Sequence, residues 1–245
     1  MKKLCATLCL LVPTLASAAY SLSATETAVL EAVLRDEFDT YLQGGNSLIG
    51  ARLGLPAATA EAVSQAYANG PTARFPAKLD LTMLIAGPVA PGKSTDGQIV
   101  SFATSGSPTV RAQLPAGLLS AERLALACSR MELVDGSPTF LDCRDGALAG
   151  KEEAARLKRD LADFYLGKPT AVQVSQLAVN ISLYASLLAP GHGCPKDIDT
   201  CRQAIQAVDG ASQSKQLPAV VRRFQRAGLD LSPYQGDKAA ATQGR

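Results

Sequence analysis

The sharpest chemical pattern in the chain is Gly87-Pro88-Val89-Ala90-Pro91-Gly92-Lys93-Ser94, which satisfies the phosphate-loop spacing G-x-x-x-x-G-K-S. That loop works only when it opens a helix, because the first N–H groups of the helix hold the phosphates. Here Ser94 leads through Thr95, Asp96 and Gly97 into Gln-Ile-Val-Ser-Phe-Ala-Thr, which is patterned as a strand. Pro88 and Pro91 also remove two backbone donors. The stretch therefore reads as a loop between strands, and no nucleotide or other cofactor is expected.

The remaining candidates are weaker. His192 is the only histidine, and Cys194 follows two residues later. Zinc needs three or four ligands, so no metal site is expected there. A Ser-His-Asp triad would have to use His192, in a glycine-rich loop, and no G-x-S-x-G elbow occurs in the chain. Ser212-Gln213-Ser214-Lys215 has the S-x-x-K spacing, but S-D-N and K-T-G are both missing and the stretch reads as a polar linker. Asp142 and Asp145 read as turn residues, and no catalytic residue is assigned.

The elements that must position any site begin with an export signal. Lys2 and Lys3 precede an apolar run from Leu4 to Leu15, and Ala16-Ser17-Ala18 has the small-x-small form of a cleavage site. The run is shorter than the roughly 20 residues a membrane span needs. Cleavage after Ala18 removes Cys5 and Cys9 and leaves about 227 residues. Loss of the two lysines takes Lys and Arg from 24 to 22, against 22 Asp and Glu. A formally neutral chain without tryptophan does not favour nucleic acid or an anionic membrane surface. The expected location is periplasmic or secreted, where Cys128, Cys143, Cys194 and Cys201 can pair.

Five strands are expected in the middle of the chain, at 77–85, 98–104, 109–114, 124–134 and 139–143, with a short helical connection at 115–123. In the first, Leu79, Leu81, Met83 and Ile85 alternate with polar residues and would share one face. The last two strands can be registered. If Asp135-Gly136 is a two-residue type I′ turn, Val134 faces Ser137, Met131 faces Phe140 and Cys128 faces Cys143. Pro138 then falls opposite Leu133 at a pair that exchanges no backbone hydrogen bonds, so its missing N–H is harmless. This predicts a Cys128–Cys143 disulfide and leaves Cys194 and Cys201 to join a loop to a helix. Strand, strand, strand, short helix, strand, strand is the order of the OB-fold, and the expected fold class is α+β with a five-stranded antiparallel barrel of that kind.

The residues 57–144 resemble the tRNA-anticodon-like OB-fold family of exported bacterial proteins. The likeness is carried by E-A-V-S-Q-A-Y-A-N at 61–69, A-R-F-P-A-K-L-D-L-T-M-L-I-A-G at 73–87 and G-S-P-T-F-L-D-C at 136–143. It departs at Phe75-Pro76, where the family more often carries Tyr-Lys. The family name describes a fold, and the resemblance implies no contact with tRNA. An OB barrel binds through its second and third strands and its hairpin loops, which nominates Lys93, Phe102 and Arg111 as ligand-facing.

Helices are expected at 25–43, 59–69, 151–166, 170–189, 198–208 and 217–227. The uncharged stretch 170–189 carries Gln173, Gln176, Asn180, Ser182 and Ser186, which fit a buried helix better than a membrane span. Arg222, Arg223 and Arg226 read as a solvated basic face. The chain thus divides into a signal at 1–18, N-terminal helices at 19–72, a barrel at 73–146, a helical subdomain at 147–230 and a disordered tail at 231–245. The functional expectation is a non-enzymatic binding or adaptor module whose partner is an envelope protein or small ligand. One rival is an envelope enzyme with a polar pocket converging on His192, Lys93 or Glu132. The other is a modulator that docks on another envelope protein through its helices, for which an exposed apolar patch would speak.

Overall fold

The computed structural model describes residues 20–46, 56–91, 99–118 and 121–231; the expected signal segment at 1–18 and nearly all of the expected tail at 231–245 lie outside them. Helix α1 (Ala24–Leu42) starts with a capping box. The Ser23 hydroxyl accepts from the Glu26 N–H at 3.1 Å, and the Glu26 carboxylate accepts from the Ser23 N–H at 2.9 Å. After it come β1 (Ala57–Thr59), α2 (Ala60–Tyr67), β2 (Lys78–Leu79), β3 (Met83–Pro88), β4 (Ile99–Ser101), β5 (Arg111–Gln113), β6 (Arg123–Val134) and β7 (Ser137–Asp145). Four helices close the chain: α3 (Gly146–Tyr165), α4 (Val172–Leu187), α5 (Ile198–Gln206) and α6 (Gly210–Arg226).

The five-stranded antiparallel barrel is not what forms. The strands make one seven-stranded mixed sheet in the order β1-β3-β6-β7-β5-β4, with β2 also on β6. Two pairings are parallel, β1 with β3 and β5 with β7. The sheet is not closed into a barrel; beyond the ladders, the ends of β3 and β4 meet at an isolated bridge between Val89 and Phe102.

The count rises to seven for two physical reasons. Strand β1 is Ala-Ala-Thr, too short to show an alternating pattern. The expected first strand is also broken. Leu79 faces Met131, but Met83 faces Cys128, so Asp80, Leu81 and Thr82 stand against only Ser129 and Arg130. That extra residue is a bulge. It turns Leu81 out to 45 % exposure instead of into the core. Past the bulge β3 is buried on both faces, with Leu84 and Ala86 toward the helices and Ile85 toward a second core. The connection at 115–123 is no helix in its described part, which forms a turn at Ala116–Gly117.

The β6–β7 hairpin has the expected register. Val134 faces Ser137, Leu133 faces Pro138, Met131 faces Phe140, and Cys128 faces Cys143, to which it is disulfide-bonded. Asp135 and Gly136 both have positive φ, 52° and 73°, as a type I′ turn requires. Asp142 also has positive φ, and its N–H leaves the ladder for the Gln113 side chain at 3.3 Å.

Strand β7 passes into α3 with no linker, and Asp145 caps the helix by accepting from the N–H groups of Ala147 (2.6 Å) and Leu148 (3.1 Å). Glycine is required next. A Cβ on Gly146 would stand 2.5 Å from the Ala125 carbonyl oxygen, so only a bare Cα lets α3 leave flush against β6. Asp145→Ala is expected to lose about 1 kcal/mol in urea unfolding, the usual worth of a cap. An unchanged midpoint would show that the cap contributes nothing.

Two cores result. One lies among α1, α3, α4, α5 and α6 and takes in Leu84 and Ala86 of β3. The other lies between the sheet and α2, around Phe102, Met131 and Phe140. Helix α4 is buried in the first, with Val174, Ala178, Val179 and Ile181 fully inside. Among the described residues no helix is long and apolar enough to cross a membrane. Helix α6 begins seven residues before its expected start. Asp209 caps it and it runs through Pro218, so Ser212-Gln213-Ser214-Lys215 is its first turns rather than a linker.

Candidate functional site

Of the nominated residues, the two described, Phe102 and Arg111, lie on opposite faces of the sheet. Phe102 is 1 % exposed and packs in the core under the sheet. Arg111 is half-buried on the opposite face, in a row with Ser101 on β4 and Thr139 on β7. Lys93 lies outside the described residues. Alternation explains the split: Val100 and Phe102 point inward, so Ser101 between them points out with its partner Arg111.

The other singled-out residues are occupied structurally. The His192 Nδ1 accepts from the Cys194 N–H at 3.0 Å, within the loop that the Cys194–Cys201 disulfide ties to α5. Glu132 sits on the sheet's outer face with Lys78 and Arg130 near it. Among the described residues no three His, Cys, Asp or Glu side chains gather as a metal site would need.

The densest polar cluster is buried in the helical core. Glu26 is 3 % exposed and accepts from the Tyr20 hydroxyl (2.7 Å), the Ser182 hydroxyl (2.6 Å), the Arg223 guanidinium (2.9 Å) and the Ser23 N–H. Burial by itself would raise the Glu26 carboxyl. The hydrogen bonds from Ser182, Ser23 and Tyr20 outweigh it and hold the group below the ordinary carboxylate value. Burial, with the hydrogen bond to Glu26, pushes the Tyr20 phenol up to about 12. Burial also raises Tyr165, whose hydroxyl has no partner. The cluster ties the start of α1 to α4 and α6, and every oxygen it uses faces another part of the same core. It is a structural clamp. Arg223, read from sequence as part of a solvated face, is one of its members and also lies over the Tyr20 ring at 5.6 Å.

A groove of about 410 Å³ opens on the other side of α1. Helix α1 lines it with Glu31, Leu34, Arg35 and Phe38, and α3 with Lys151, Ala154, Ala155 and Lys158. Both sets have the i, i+3, i+4, i+7 spacing of one helical face. The helices run antiparallel. Lys158 Nζ bonds both Glu31 oxygens, at 2.7 and 2.8 Å, at one end, and Gly150 lies against Phe38 at the other. Ile198, at the start of α5 and 40 % exposed, completes the lining.

Two features fix α5 there. Arg202 bonds Asp36 and lies 3.3 Å from Asp39, both on α1, and the Cys194–Cys201 disulfide holds the preceding loop. The groove floor is apolar: Leu34, Phe38, Ala154, Ala155 and Ile198. Its rim holds three cations and one carboxylate on a chain that is otherwise neutral. Among the described residues no serine, cysteine, histidine or tyrosine lines it. The helical periodicities of α1 and α3 are legible in the sequence. That Ala154 and Ala155 meet Leu34 and Phe38 in an open seam is not, because it depends on which helices fail to cover it.

No family model, curated protein or solved structure matches the chain.

Proposed function

We propose that this is an exported, non-enzymatic binding or adaptor module that engages a protein partner outside the cytoplasm through its helical layer. The observation that carries the reading is the α1–α3 groove, an apolar seam with a cationic rim. Apolar clefts between packed helices with a few charged groups at their edge are where ligands and partner side chains dock. The two cysteine pairs, each bonded, support an oxidising compartment, in agreement with the signal segment. The enzyme alternative drew on His192, Lys93 or Glu132; His192 and Glu132 do not line the groove, and Lys93 lies outside the described residues.

The test is site-specific photo-cross-linking in intact cells. A cross-linking residue replaces Ala155 in the groove or Val134, which is 41 % exposed at the distant hairpin tip. A discrete adduct is expected from position 155 and none from 134, and Ile198→Asp should remove the adduct at 155. Identical behaviour at the two positions would end the reading.

A further inference from the structure

The geometry points to one occupant for this groove, a single amphipathic helix of a partner protein with acidic residues flanking its apolar face. This presupposes that the groove is the docking face, and it adds what docks. Shape supplies the first argument. Leu34 and Phe38 on α1 lie one turn apart, as do Ala154 and Lys158 on α3. Two antiparallel helices with stripes in step form a seam that a third helix fills by laying apolar residues at i, i+3 or i+4, and i+7 between them. The small side chains of Ala154 and Ala155 admit a larger residue from the incoming helix, and Ile198 gives it a lateral wall.

Charge supplies the second argument. Lys158 is engaged by Glu31, and Arg35 lies 3.4 Å from Asp39. Lys151 has no acidic partner among the described residues, and the rim keeps a net excess of cations. An apolar floor beside unspent positive charge selects acidic flanks on the guest. The same excess of cations disfavours a second copy, since two grooves face to face would each present a net positive rim to the other.

The test uses the mature protein and synthetic helices of about fifteen residues. Each carries Leu at i, i+4 and i+7, with either Glu or Lys on the flanks, and binding is read by fluorescence anisotropy. The Glu-flanked helix is expected to bind and to weaken as salt rises. Lys151→Glu should weaken it about ten-fold and improve the Lys-flanked helix. Ile198→Asp, an exposed position in the first turn of α5 that tolerates an acid, should abolish binding with the circular dichroism unchanged. Equal binding of the two helices overturns the inference, as does binding unaffected by Ile198→Asp. Binding of anionic-lipid vesicles or self-association at the groove in place of the Glu-flanked helix overturns it too. A cross-link from position 155 to an envelope protein without binding of the Glu-flanked helix would leave the docking reading standing and remove only this occupant. Failure of both removes both.

Discussion

Glu26→Ala is expected to destabilise the mature protein by about 3 kcal/mol, well above the usual effect of a point substitution. Four donors converge on this carboxylate from Tyr20, Ser23, Ser182 and Arg223. Alanine removes the capping box of α1, worth about 1 kcal/mol. It also leaves the Ser182 hydroxyl, on a residue of 0 % exposure, without its acceptor. An unsatisfied buried hydroxyl adds roughly 1–3 kcal/mol. Arg223 keeps partial hydration, its side chain being 41 % exposed, so the penalty of a stranded buried cation is not added in full. Urea unfolding followed by circular dichroism measures the effect, and a loss below about 1 kcal/mol would show that the clamp is not what joins α1 to α4 and α6.

The same carboxylate sets a pH dependence. Its folded-state pKa lies below the ordinary value of 4.5. A depressed carboxyl contributes stability that is fully present above the unfolded value and is lost as pH falls through the folded one. The acid limb of the stability curve should therefore be steeper in the native protein than in Glu26→Gln, which cannot titrate. Parallel limbs would assign the acid sensitivity to other groups.

How much of this was legible in advance depends on how local the signal is. The β6–β7 hairpin follows from three neighbouring facts: an Asp-Gly turn, a proline at a position that needs no donor, and two cysteines at matching offsets. All act within one pair of strands. The start of α1 was legible to within a residue: Ser23 or Thr25 could cap a helix at 25–43, and Ser23 does so. The start of α6 was not, since Pro218 reads as a boundary but lies inside the helix, where it lacks the N–H that would bond back one turn. The sheet was misjudged for a different reason. The parallel pairing of Ala57–Thr59 with Leu84–Ala86 joins residues far apart in sequence and leaves no periodic trace in either. The bulge at Asp80–Thr82 is invisible because Leu79, Leu81 and Met83 alternate as an unbroken strand would, and only the register of β6 reveals the slip. The residue pattern locates a strand around Phe102, but its nomination as ligand-facing rests on the OB-barrel analogy, and the side chain is buried in the core. The clamp had a partial signal, since Ser-x-x-Glu at 23–26 is a capping box by sequence. That Glu26 also bonds Ser182 and Arg223 required the packing of three helices.

Removing the Cys128–Cys143 bond should have the other large effect. The bond closes a loop with a sequence separation of 15, which the chain-entropy model values at about 3 kcal/mol through restriction of the unfolded chain. The native side of the balance points the same way. Strand β6 carries β2, β3 and β7, and β7 carries β5, so the bond clasps the hairpin from which most of the sheet is hung. Cys128→Ala with Cys143→Ala is expected to lower the urea midpoint by an amount corresponding to about 3 kcal/mol, with Cys128 buried at 0 % exposure contributing a small loss of packing besides. The Cys194–Cys201 bond closes a shorter loop, of separation 7, and Cys194→Ala with Cys201→Ala, which removes it, should lose about 2.4 kcal/mol. The two losses also differ in kind. The first loosens the sheet and should leave binding at the groove intact wherever the protein remains folded. The second frees the loop before α5, and with it the Ile198 wall, so it should weaken binding of the Glu-flanked helix out of proportion to its effect on stability. Equal effects of the two double variants on both readouts, or disulfide mapping by mass spectrometry that links Cys128 to any cysteine but Cys143, would break this assignment of one bond to the scaffold and the other to the docking face.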